Sequence, residues 1–190
     1  PLFSVDDFQT IIPGLKKNEI HSIQGNIVGD VSTMDSLYWG EGWMWDDEPE
    51  YYEAFISPLT VNKNYVTVKA SPGKKNGDTL LFSVEPFTSF LPVINGGITS
   101  DDTTISSVLA TRSKRQNTIS IRGRMSVLDT TKEFQISVWQ PELWFLHLFK
   151  ELCTVNDISV SGTIVIDTVK RTTIISKIVH SLDSVLHLIN

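Results

Sequence analysis

A single cysteine, Cys153, stands in 190 residues, so no internal disulfide braces this fold. Its neighbours Leu152 and Thr154 lie on a helical pattern, which makes it a small buried hydrophobe and not a reactive thiol. Basic charge is scarce: 16 Lys and Arg against 22 Asp and Glu leave a formal charge of -6. The two basic groups, Lys16-Lys17 and Arg112 with Lys114 and Arg115, are too short to follow a phosphate backbone. They read as solvated surface, and nucleic acid is excluded as a partner. There is no apolar run of transmembrane length, hence no transmembrane segment, and no basic-then-apolar leader. The chain opens Pro1-Leu2-Phe3 without methionine, as a processed product or fragment would.

Catalytic and metal-binding patterns are missing as well. The histidines at 21, 147, 180 and 187 share no ligand spacing with one another or with Cys153, so neither a metal centre nor a cofactor is expected. His147 reads as a half-buried or surface residue of a helix, and nothing acidic clearly orients His180 or His187, which lie seven apart. Gly25 and Gly29 lack the spacing and following helix of a phosphate loop. Ser71-Pro72-Gly73-Lys74 has the Ser-x-x-Lys spacing in which a lysine activates a hydroxyl. Pro-Gly makes it a turn, where the two side chains need not face each other, so no catalytic residue is assigned.

What is present is most unusual at 37–52, where Trp39, Trp43 and Trp45, three of five tryptophans, are punctuated by Gly40 and Gly42. Asp46, Asp47, Glu48 and Glu50 follow at once. No helical or strand period fits, and the segment reads as a folded loop whose rings pack down while its acids face water. Such a loop joins two parts of a protein or lines a recognition surface. Its candidate interface residues are Trp39, Trp43, Trp45, Asp46 and Asp47. The acids lack the ligand order of a calcium loop.

Hydrophobic residues at 41% and charged residues at 20% describe a folded chain able to bury a core. Ser4 with Asp6 and Asp7 caps a helix from about residue 5, its stripe being Phe8, Ile11, Ile12 and Leu15, and Pro13-Gly14 is expected to end it near Ile12. Residues 20–30 read as two short strands around a turn or bulge at Gly25. From 57 to 130 no helix is needed. Val61, Tyr65, Val66, Val68 and Ala70 mark strand-rich sequence, with a tight turn at Asn62-Lys63-Asn64 between Pro58–Val61 and Tyr65–Val68, and strands are expected over Leu80 to Val84, Ile98 to Val108 and Ile119 to Val127. Pro141 and Glu142 open a helix to about Cys153, with Leu143, Leu146, Phe149 and Leu152 on its apolar face. Strands over Ile158 to Val165 and Thr173 to Val179 and a last helix from Ser181 to Asn190 complete the chain.

The expected fold class is α/β: a split α/β domain, 1–56 and 129–190, interrupted by a small β-rich domain at 57–128. One continuous α+β domain is the alternative.

Several stretches together resemble one family, the serine D-alanyl-D-alanine carboxypeptidases/endopeptidases of the class C low-molecular-mass penicillin-binding proteins. They are Ile23-Gln24-Gly25-Asn26-Ile27-Val28-Gly29-Asp30, Gly42-Trp43-Met44-Trp45-Asp46-Asp47, and Tyr51-Tyr52-Glu53-Ala54 leading into Ser57-Pro58-Leu59-Thr60-Val61-Asn62. Ser71-Pro72-Gly73, Gln140-Pro141-Glu142-Leu143-Trp144 and Ile158-Ser159-Val160-Ser161-Gly162 follow in the same order. The resemblance implies a catalytic domain split around a large insertion, with Ser-x-x-Lys before it and Ser-x-Asn and Lys-Thr-Gly after it. This chain is similar to the intervening, non-catalytic region. The implied partners are the catalytic domain of the parent chain and peptidoglycan peptides, cleaved through an acyl-enzyme in the periplasm or at the cell wall. The rival reading is a free-standing or degenerate binding module of the same fold.

Overall fold

The structure, a computed structural model, describes residues 3–34, 37–44, 46–104, 106–168 and 173–181. In chain order its elements are α1 (Val5–Lys17), β1 (Ser22–Ile23), β2 (Ile27–Gly29), β3 (Tyr65–Ser71), β4 (Leu81–Glu85), β5 (Val93–Asn95), β6 (Ile98–Ser100), β7 (Leu109–Arg112), β8 (Ile119–Arg122), β9 (Arg124–Ser126), β10 (Lys132–Ser137), α2 (Pro141–Val155), β11 (Ser159–Val160) and β12 (Ile164–Ile166). Short 3-10 turns occur at Tyr51–Glu53 and Asn62–Asn64. The contacts divide this mixed α/β chain into two units, 1–38 with 56–64 and 140–190, and 39–55 with 65–139. The tryptophan-rich loop and β10 thus group with the β-rich unit, whereas the boundaries read from composition fell at 56/57 and 128/129.

In the first unit, parallel pairing joins β1 to β11 and β2 to β12, with α2 in the connection. Glycines interrupt both ribbons at the same level. Gly25 supplies the left-handed φ of 131°, and a Cβ at Gly162 would run into the Gly25 carbonyl, so the two chains pass only because Gly162 carries no side chain there. Ile12, Leu15, Cys153 and Ile158 form a buried cluster with Ile20, Phe149 and Leu152 against it. Phe8 stacks edge-on to Phe3 and Phe145 at 4.8 and 4.7 Å.

Helix α1 does not stop at Ile12. It runs through Pro13-Gly14 to Lys17. Its start is fixed by a reciprocal cap, Asp7 N–H to the Ser4 carbonyl and Ser4 N–H to Asp7 Oδ2 at 2.7 Å. Its end is drawn down by Leu15, buried one half-turn past the proline, so tertiary burial outweighs the lost backbone bond. Asn62, Lys63 and Asn64 all have positive φ, and Val5 N–H reaches Asn62 Oδ1 at 3.1 Å, tying this left-handed turn to the helix start.

The segment expected as a strand over 173–179 is not one in the described residues 173–181. Ile174 and Val179 are 77% and 71% exposed. β-branched residues supply propensity, but no strand among the described residues lies beside them to meet their backbone groups, and the ladder does not form. The expected last helix lies outside the described residues apart from Ser181.

The second unit holds an antiparallel sheet in the order β10-β3-β4, a mixed sheet β5-β8-β7 and a parallel pair β6-β9. β3 alternates strictly, with Val66, Val68 and Ala70 buried, as its two-residue period dictates. Ile119, Ile121 and Met125 complete the core beneath β8 and β9. The expected long strand from Ile98 to Val108 is shorter: β6 ends at Ser100, and Asp102 folds an Asx turn on Thr104 before β7 begins at Leu109.

Candidate functional site

The loop 39–55 is built from its own turns upward. Trp43 N–H meets the Gly40 carbonyl at 3.4 Å, Asp47 N–H the Met44 carbonyl at 3.2 Å, and Glu50 N–H the Asp47 carbonyl at 2.8 Å. Three aromatic rings close it at the base. Trp39 lies 5.5 Å from Phe55 and 6.2 Å from Trp139, and Phe55 meets Trp139 edge-on at 5.0 Å. Trp39 remains 39% exposed, Trp43 is half-buried, Asp46 is exposed and Asp47 half-buried. Trp45 lies outside the described residues. Met44, Tyr51 and Tyr52 point outward, so the aromatics do not all pack down.

The acids do not all face water either. Glu48 is 4% exposed, and its partner is Arg112, 2% exposed, at 3.0 Å between Oε1 and Nη1. This overturns the reading of Arg112 as solvated surface. Its guanidinium spreads over three segments. Nε donates to the Ser137 carbonyl at 2.8 Å; Nη1 also reaches the Ser113 and Gln116 carbonyls; Nη2 donates to the Glu48 carbonyl at 3.1 Å. Glu48 Oε1 also accepts the Arg115 N–H at 2.6 Å, and Ser137 Oγ donates to the Glu48 carbonyl. The guanidinium carbon lies over the Phe55 ring, 5.7 Å from its centroid. Burial draws the guanidinium's pKa below its ordinary value, and Glu48 opposes that pull by favouring the charged form. No local signal in the sequence joins positions 48 and 112; only the fold does.

The remaining acids crowd the loop's outer side. Burial raises the Glu53 pKa first and the charges of Asp47 and Asp46 raise it further, while the Met44 backbone opposes. The Tyr52 phenol is pushed up by burial and by Asp47, Glu50 and Glu53 together. Beside the loop, Glu50, Tyr51, Thr111, Glu133 and Gln135 line a polar groove of about 340 Å³. No group of three His, Cys, Asp or Glu residues with metal-holding geometry exists among the described residues.

In the first unit, Tyr38 O–H donates to the buried Glu142 Oε1 at 2.8 Å. Burial, then the Glu142 bond and charge, push the phenol up to about 12. An apolar groove of about 370 Å³ lies over Phe8, Ile11, Val28, Leu59, Phe145 and Phe149. His180 Nε2 lies 3.4 Å from Asp7 Oδ1, an acidic partner that the local sequence does not reveal. His147 sits 3.4 Å from Glu151, one turn along α2. Ser71 ends β3 and Lys74 lies in the following turn, its N–H on Asp78 Oδ2, so the pair shares no helix.

The fold defined by these two units has counterparts among penicillin-binding proteins. Penicillin-binding protein 4 (dacB) of Haemophilus influenzae superposes with a TM-score of 0.69 at 15% identity, covering 90% of this chain and 38% of that one. Its complex with a novel β-lactam gives 0.57 at 11% identity, covering 90% and 35%. The D-alanyl-D-alanine carboxypeptidase of Actinomadura sp. (strain R39) is 22% identical over 170 residues, 86% of this chain and 31% of that protein. The chain therefore spans about a third of the length of this relative. The D-Ala-D-Ala carboxypeptidase 3 (S13) family profile matches residues 1–184, and the chain belongs to that family.

Proposed function

We propose that this chain is the non-catalytic region set within a serine-type D-Ala-D-Ala carboxypeptidase/endopeptidase that cleaves peptidoglycan peptides through an acyl-enzyme. The observation that carries the reading is a mismatch of coverage: the family profile matches residues 1–184, yet the chain spans 31% of a carboxypeptidase relative. Hydrolysis of this type needs a hydroxyl within reach of an activating amine. The one Ser-x-x-Lys spacing, Ser71 to Lys74, ends a strand and enters a turn. The activated serine then belongs to polypeptide outside these residues, and the chain's partner is that catalytic domain. The work is done in the periplasm or at the cell wall. No helix among the described residues is long and apolar enough to cross a membrane.

The loop 39–52, with Trp39, Trp43, Trp45, Asp46 and Asp47, positions the peptide. The exposed rings of Trp39, Tyr51 and Tyr52 supply apolar contact area at low entropic cost, and the acids attract cationic groups. The test is Trp43→Ala with Trp45→Ala in the full-length protein. A selective loss of peptide turnover with the fold retained supports positioning. Lost folding without selective loss of turnover sinks it and leaves the rings a local core.

A further inference from the structure

We infer that Arg112 is a positioning residue: it fixes the main chain at Glu48, and through it the arrangement that Trp43, Asp46 and Asp47 present to a peptide. The inference rests on the proposed role of the loop. Its physical ground is where the guanidinium donors go. They reach the Glu48 carboxylate and carbonyl in the loop, the Ser137 carbonyl at the end of β10, and the Ser113 and Gln116 carbonyls after β7. Glu48 immediately follows Asp47 and lies two residues from Asp46.

A buried ion pair is a poor way to hold a core together, because desolvating both charges offsets most of their attraction, and two well-packed apolar side chains often do as well or better. What apolar side chains cannot do is accept or donate. Here the pair sets the loop's register against two strands by directed bonds. The same carboxylate takes the Arg115 N–H at 2.6 Å, so Glu48 is spent inward and is not a ligand for the peptide. Arg is required for this: a lysine carries the charge but has no planar fork to reach three segments at once.

The test uses the full-length protein with three changes: the double variant Arg112→Met with Glu48→Leu, the single variant Arg112→Lys, and the loop variant Trp43→Ala with Asp46→Asn. Three readouts are taken: KM and kcat for a peptide ending in D-Ala-D-Ala, the rate of acylation by a fluorescent penicillin, and the melting temperature. The double variant is expected to fold and to be acylated at the wild-type rate, while its KM for the peptide rises roughly tenfold or more, since a small misplacement costs that much. Arg112→Lys carries the test if the double variant does not fold, and is expected to raise KM in the same way. An unchanged KM in a folded variant overturns the inference. So does a parallel fall in acylation and peptide turnover, which would mark a general structural role. If the loop variant also leaves KM unchanged, the loop reading itself fails; if it alone raises KM, only the role of Arg112 does.

Discussion

Arg112 and Glu48, 64 positions apart in sequence, meet at 3.0 Å with almost none of either side chain in contact with solvent. The pair connects a strand of the β-rich unit to the loop that carries the exposed Trp39, Tyr51, Tyr52, Asp46 and Glu50.

Arg112→Met alone leaves the Glu48 carboxylate buried without its counter-ion. The expected cost is about 3–5 kcal/mol, and the double variant with Glu48→Leu should recover most of it. Urea denaturation of the three proteins, compared as a double-mutant cycle, measures both.

Tyr38→Phe removes the hydroxyl that Glu142 Oε1 accepts. Leaving that buried oxygen without its donor should cost about 1–3 kcal/mol. In the wild type the folded Tyr38 pKa is about 12, above the ordinary value of 10.0. A raised folded pKa means the folded state holds the proton more tightly. Stability from this phenol is therefore fully present below pH 10 and is lost as the pH climbs from 10 towards 12. Absorbance titration at the tyrosinate band should show one late-ionising phenol that disappears in Tyr38→Phe.

Glu53 titrates with the opposite consequence to an ordinary paired carboxylate. Its folded pKa is raised, by burial first and then by Asp47 and Asp46. The folded state thus binds the proton better than the unfolded one, and protonation stabilises the loop. As the pH rises through the raised pKa, that contribution is lost. Hydrogen exchange across 46–55 should slow on mild acidification, and Glu53→Gln should abolish the change. Exchange that is insensitive to pH after correction for the intrinsic rate would contradict this.

Gly162→Ala places a methyl group against the Gly25 carbonyl, between the parallel pairs β1–β11 and β2–β12. The neighbour is backbone and cannot rotate away, so the change should cost about 1–3 kcal/mol or more. Thermal melting reads it directly, with Gly96→Ala as a control because that Cβ meets only the Ile121 carbonyl at 3.6 Å.

Much of this fold is legible in local sequence because its causes are local. Pro141 at the first turn and apolar residues at helical spacing define α2, and strict alternation defines β3. The strand expected over Ile98 to Val108 is cut short by a local Asx turn at Asp102, whereas the other misreadings turn on what lies far away in the chain. Pro13 argued for an early helix end, but the burial of Leu15 keeps the turn. Thr173 to Val179 has strand composition and, among the described residues, no strand beside it. Of the loop, the turns at Gly40 and Gly42 and the exposure of Asp46 follow from short-range chemistry. The inward course of Glu48 does not, because its reason is a guanidinium supplied by β7.

The most direct test of the account is intact-mass spectrometry of the 190-residue chain after incubation with a penicillin, beside the full-length protein. The account predicts an unmodified mass for the chain and one covalent adduct on the full-length protein. An acyl adduct on a serine of the chain itself would contradict it.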